Sequence, residues 1–248
     1  MIALAAAAHP DDIELMMAGT LLRLKDAGCE IHLWNLANGG CGSSTLSRNE
    51  AAALRWKEAR ASADLAGGTA HPPLFNDIAI FYDAPSIAKV ATVIRRIQPD
   101  IILTQSPQDY MEDHQNTTRL VVTGAFTRAM MNQPTDPPVG PYSKPVAIYH
   151  ALPHGLNDGL RQAVIPHFFT NITDVISSKR AMLACHASQK EWLDTTQGMN
   201  AYLDDMKRMS REVGRMSGKF EFAEGWRRHS HLGFGPEDFD PLSTLLKN

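Results

Sequence analysis

The chain has 248 residues, 44% hydrophobic and 21% charged, the make-up of an ordinary soluble globular protein. A net charge of -3 leaves no basic footprint for nucleic acid or anionic membrane, and no apolar run approaches the roughly 20 residues that span a bilayer. Three scattered cysteines, Cys29, Cys41 and Cys185, form neither a disulfide framework nor a thiolate metal motif and imply a reducing, cytoplasmic setting.

In chain order, Ile2–Ala8 reads as a buried strand. No basic region precedes it and it runs straight into polar residues, which argues against a signal peptide. A helix is expected over Glu14–Ala27, closed by Gly28, then a strand over Ile31–Ala37. Arg48–Ala66 is an alanine-rich helix ended by Gly67-Gly68. Ser86–Ile97 places Ile87, Val90, Ile94 and Ile97 on one face before Pro99 stops it. A strand at Ile101–Gln105 and a helix at Asn116–Met130 follow, with Leu120, Val121, Phe126 and Met130 turned inward. Asn132–Lys144 is a proline-rich surface loop or flap. Strands are expected at Val146–His150 and Phe168–Ile172, a helix from Thr173-Asp174 towards His186, and another over Glu191–Met209. The alternation predicts an α/β, Rossmann-like three-layer fold: a mainly parallel sheet with helices on both faces. Neither a repeat nor a domain boundary interrupts it.

The first strand ends in Ala8-His9-Pro10-Asp11-Asp12. Carboxylates resist leaving water, so two of them beside an imidazole at a core edge imply a cation or a proton to share. A turn fixed by Pro10 with Asp12 as helix cap accounts for one carboxylate and leaves His9 and Asp11 without a reason. Ligands of open α/β sheets gather outside the carboxyl ends of the strands. There the first loop meets Asn38–Gly42 and the segment Ser106–His114, dense in carboxylates and ending in His114. On this topology His9, Asp12 and His114 converge on one ion. Two neutral imidazoles and a carboxylate match a catalytic zinc site, with Fe2+ or Mn2+ as other divalent occupants. Asp11, adjacent to Asp12, points elsewhere and is placed to take a proton from water and pass it to a leaving group.

The run Ala8-His9-Pro10-Asp11-Asp12-Ile13-Glu14 resembles the signature of the LmbE-like, or PIG-L, zinc-dependent N-deacetylases. Further likenesses follow in order: Arg55-Trp56-Lys57-Glu58-Ala59, Gln98-Pro99-Asp100, Lys179 to Gln189, and Phe222-Ala223-Glu224-Gly225-Trp226-Arg227. The resemblance implies one LmbE-like hydrolase domain over residues 1–248. It implies His9, Asp12 and His114 as metal ligands, Asp11 as general base, and an enzyme removing acetyl groups from amino-sugar conjugates. Homo-oligomers are common among such proteins. The alternatives are hydrolysis of a non-sugar amide at the same site, or a non-catalytic metal- or ligand-binding protein.

One departure stands out. Many members carry a histidine, used to stabilise the oxyanion, where this chain has Met111. Losing such a donor costs about 100- to 1,000-fold in rate, so another group is expected, with Tyr110, His154 and His186 as candidates. Asp113 is suited to orient a histidine. Arg48 and Arg55 are read as surface charges unless they meet substrate, and the Asn38–Gly42 loop as either a tight turn or a donor of amides to a substrate hydroxyl. Glu224, Arg227, His229 and His231 form a polar cluster that lines either the pocket or a subunit contact.

Overall fold

The computed structural model describes residues 1–189 and 202–246. Strand β1 (Ile2–Ala7) lies between β2 (Glu30–Asn35) and β4 (Ile101–Thr104), parallel to both. Strand β3 (Thr69–His71) extends the sheet beyond β2, and β5 (Ala147–Ala151) beyond β4, again in parallel. Strand β7 (Ala223–Arg228) runs antiparallel to β5, with β6 (Phe168–Asn171) outside it. The seven strands take the order β3-β2-β1-β4-β5-β7-β6. The chain therefore reverses direction of growth at β1, and a crevice opens between the loops that leave β1 and β4.

Alternate residues of β1 serve opposite layers. Ala3, Ala5 and Ala7 pack with Leu21 and Leu24 of α2 (Ala18–Asp26), Ala63 and Ala66 of α3 (Arg48–Ala66) and Met182 of α6 (Ile176–Ala184). Leu4, Ala6 and Ala8 pack with Val90 and Ile94 of α4 (Ala84–Ile97) and with Leu120 and Val121 of α5 (Glu112–Phe126). Each fully buried Leu or Ile contributes about 1.5–3 kcal/mol. The three-layer reading holds, with two cores on either side of one sheet.

Local signals explain the best-placed elements. Helix α3 spans the expected residues because Ser47 and Glu50 form a reciprocal capping box and Gly67, at φ 62°, supplies the left-handed stop. The expected helix over Glu14–Ala27 is instead two, α1 (Asp12–Met16) and α2, separated at Met17. The reason lies across the sheet: Glu224 of β7 accepts the amides of Gly19 and Thr20, so α2 begins anew with its first-turn donors satisfied. A side chain at residue 19 would meet Ile172 at 2.6 Å, so glycine is required there.

Other boundaries moved as well. Helix α5 starts at Glu112 and ends at Phe126, followed by a 3-10 turn over Thr127–Ala129. Phe126 and Met130 are exposed, not inward, because the helical phase that buries Leu120 and Val121 does not continue to them. The short β3 and charged β7 were not expected; β7 hides Glu224 and Trp226 between elements distant in sequence. The helix expected over Glu191–Met209 falls partly outside the described residues, within which α7 (Tyr202–Ser217) buries Met206 and Met209. Met216 of that helix is exposed. No helix among the described residues is long and apolar enough to cross a membrane.

Candidate active site

Ala8 and Gln105, the first residues past the two central parallel strands, are tied directly. The Ala8 amide donates to Gln105 Oε1 at 2.9 Å. Gln105 O in turn accepts from Thr118 Oγ1 at 2.6 Å and His150 Nδ1 at 2.9 Å. The loop after β1 and the start of α5 are thus held at one depth, and they bring the expected residues together.

Asp12 Oδ2 lies 3.5 Å from His9 Nδ1 and 3.4 Å from His114 Nε2, and the donor atoms of the three residues lie within 4.8 Å of one another. These separations exceed those of good hydrogen bonds. The far nitrogens are committed elsewhere. His9 Nε2 donates to Asp113 Oδ2 and His114 Nδ1 to Asp109 Oδ1, each at 2.9 Å. In each ring the nitrogen turned towards Asp12 is the one left for a metal, the arrangement that orienting carboxylates impose on metal-binding histidines. Asp12 caps no helix; its Oδ2 accepts the His9 amide at 2.7 Å. Asp113 orients a histidine as expected, and that histidine is His9 from the opposite loop. The role of Asp109 was missed. Its only sequence signal was an acidic residue five positions before His114.

Electrostatics point the same way. Asp11, Asp77, Asp109 and Asp113 are all buried around this cavity or its loops, while among the described lining residues Arg55 is the one buried guanidinium. Burial opposes a charged His9, yet the Asp113 and Asp12 carboxylates outweigh it and raise the imidazole to about 10. Burial likewise opposes ionised Asp12, but His114 and His9 hold that carboxyl far below the ordinary range. The cluster draws in positive charge. Its donor set, open centre and orienting carboxylates fit a divalent ion.

Asp11 sits beside the cluster with φ 106°, a conformation Asp tolerates better than most residues. Its Oδ2 accepts from Tyr202 Oη at 2.6 Å, and its Oδ1 lies 3.6 Å from Arg55 Nη2. Burial pushes its carboxyl above the usual range, with Arg55 pulling in the opposite direction. Arg55 is no surface charge: it is buried, donates to the carbonyls of Pro10 and Gly39, and lines the cavity.

The cavity over these groups has a volume of about 300 Å³, and Met111, Tyr110 and His154 reach its wall. His186 does not; it is buried 3.3 Å from Glu14 and cannot touch a ligand there. The amides of Gly39 and Cys41 both donate to Asp77, so that loop has none of these to offer a substrate hydroxyl. Of the C-terminal cluster, Glu224 pairs with Lys179 at 2.6 Å, Arg227 bonds Gln108, and His229 bonds His150 at 2.9 Å. None of these, nor His231, lines the cavity.

The family model described as PIG-L, GlcNAc-PI de-N-acetylase, matches residues 4–125, the span that carries His9, Asp11, Asp12 and His114. The N-terminal part of the chain is thus PIG-L-like in sequence. A diacetylchitobiose deacetylase of Thermococcus kodakarensis is 27% identical over 223 residues, 88% of this chain and 79% of that protein. Among solved structures, an N,N'-diacetylchitobiose deacetylase from Pyrococcus horikoshii matches with a TM-score of 0.77 at 24% identity, covering 97% of this chain and 88% of that one. A 4-carboxy-2-hydroxymuconate hydratase from Pseudomonas putida matches with a TM-score of 0.77 at 21% identity, covering 92% and 96%. A deacetylase and a hydratase that share this α/β fold show that chemistry must be argued from the site.

Proposed function

We propose that this chain is a metal-dependent hydrolase that removes an acyl group, acetyl in its simplest form, from the nitrogen of an amino sugar. The observation that carries the reading is the convergence of His9, Asp12 and His114 beside a buried, strained Asp11. Those three residues would hold the metal, and zinc suits two imidazoles and one carboxylate with an open position. When bound, the ion supplies Lewis acidity to the carbonyl oxygen and to the attacking water.

The protein's own groups do the rest. Asp11 Oδ1, the oxygen not committed to Tyr202, takes the proton of the attacking water and later delivers it to the departing nitrogen. Tyr202 and Arg55 hold the carboxylate in place for both transfers. Tyr110 supplies the oxyanion hydrogen bond that Met111 cannot. Its ring packs edge-on against His114 at 5.6 Å, and burial and the nearby Asp12, Asp109 and Asp11 carboxylates raise its pKa, keeping the hydroxyl a donor at all working pH. The cytoplasm, where its cysteines stay reduced, is the setting we assign.

The test is a screen of N-acetylated amino sugars and small amides for amine release by metal-replete protein. Release that stops on chelation, together with loss of the ion in His114→Ala, is the expected result. Full metal occupancy with no amine released from any compound would overturn the reading. Met111, an apolar residue on the cavity wall, favours a second reading in which the amide is not that of a sugar, and the same screen separates the two.

A further inference from the structure

Ile78 adopts φ 60°, a left-handed conformation that a branched side chain disfavours, and it is 70% exposed while lining the cavity. Strain of this kind persists only where surroundings fix it, and it collects at functional sites. Here they do fix it. The Ile78 amide donates to Asp113 Oδ2 at 2.7 Å, the same oxygen that holds His9. The preceding Asp77 accepts the amides of Gly39 and Cys41 at 2.6 and 2.8 Å. Asparagine or glycine would suit this backbone better, but neither presents a branched hydrocarbon at the mouth of the cavity.

Ile78 has apolar company. Met111 lines the same cavity, and the Tyr110 ring, 49% exposed, stands over His114. Gly159 packs close to the Tyr110 backbone, where a Cβ would meet Tyr110 Cα at 3.5 Å, and the next residue, Leu160, is 83% exposed. Of these, Ile78, Tyr110 and Met111 line the cavity, Ile78 tied to Asp113 and Tyr110 packed on His114. The Asp11 side carries the polar groups of Arg55 and Tyr202, with Leu15 packed beside Tyr202. An amide whose nitrogen faces Asp11 must turn its acyl carbon away from that wall, towards Ile78 and Met111.

We propose that this apolar wall is an acyl-chain subsite, and that the acyl group removed is larger than acetyl, an aliphatic chain or an aromatic ring. The inference rests on the amide-hydrolase reading above and names its substrate class. The test is calorimetric binding of hydroxamates to metal-loaded protein, from acetohydroxamate to hexanohydroxamate and benzohydroxamate. All share one chelating head, so differences report the chain. Affinity should rise about two- to fourfold per methylene, the upper figure being that of a fully buried CH2. Ile78→Asn should flatten the series while its Tm equals or exceeds that of the wild type, since asparagine tolerates the left-handed backbone. Equal affinities across the series, with acetohydroxamate bound, overturn the subsite and leave the hydrolase reading standing. Failure of every hydroxamate to bind overturns the metal centre and the subsite together. Among N-acyl glucosamines, kcat/KM should follow the same order as binding; a preference for acetyl would refute the proposal.

Discussion

Asp11→Asn isolates proton transfer from everything else Asp11 does. Asparagine accepts φ 106° as readily as aspartate, so the turn into α1 keeps its geometry. Its amide oxygen can still accept the Tyr202 hydroxyl that Asp11 Oδ2 now accepts at 2.6 Å. His9, Asp12 and His114 are untouched, so metal content should stay at one ion per chain. What disappears is a proton acceptor beside the reacting atoms, an effect of about 100- to 10,000-fold, or about 3–5 kcal/mol in the barrier. The loss should fall on kcat, because the proton moves only in the transition state. Asp11→Ala is the poorer experiment: alanine gains nothing locally at positive φ and leaves Tyr202 unpaired. The assay is amine release on protein whose metal is measured in the same sample. Turnover within threefold of wild type at full metal occupancy would remove Asp11 from the mechanism.

The remaining expectations concern the metal's support, the oxyanion, the core and pH. Asp109→Asn and Asp113→Asn each loosen the hold on one histidine ring and should weaken metal affinity about 10- to 100-fold, measured by competition with a chelator. Tyr110→Phe should lower kcat about 100- to 1,000-fold with the ion retained; an unchanged kcat would move the oxyanion donor elsewhere. Glu224→Gln leaves buried Lys179 without its counter-charge and should cost about 3–5 kcal/mol in urea unfolding, with no change in metal content of the folded fraction. Burial holds His150 down to about 4 from its ordinary 6.5. The unfolded chain therefore takes up this proton first, stability is full above pH 6.5, and it falls as pH drops towards 4. The loss should be about 2 kcal/mol at pH 5, and a His150→Asn variant that retained the same pH slope would refute this assignment.

Several parts of this picture were legible because their causes are local. Ser47, Glu50 and Gly67 carry both ends of α3 in their own side chains and backbone freedom. The core face of α4 follows from the spacing of Val90 and Ile94. The break at Met17 was not legible, since its cause is Glu224, some 205 residues away along the chain from Gly19. Arg55 misled for the same reason. An arginine in an alanine-rich helix reads as solvated until the Gly39 turn closes over it.

At the site, residue order alone sets the donor chemistry: one imidazole and two carboxylates leave β1 together, and a second imidazole opens α5. Which groups face which follows from strand pairing and packing. The β1–β4 adjacency is what brings Asp12 within 3.4 Å of His114. It is also what gives Asp113, a neighbour of His114 in sequence, to His9 instead. The same long-range contacts clamp Ile78 in a backbone form its own side chain opposes. Residue identity sets what an atom can do, and only the packed sheet sets what it stands beside.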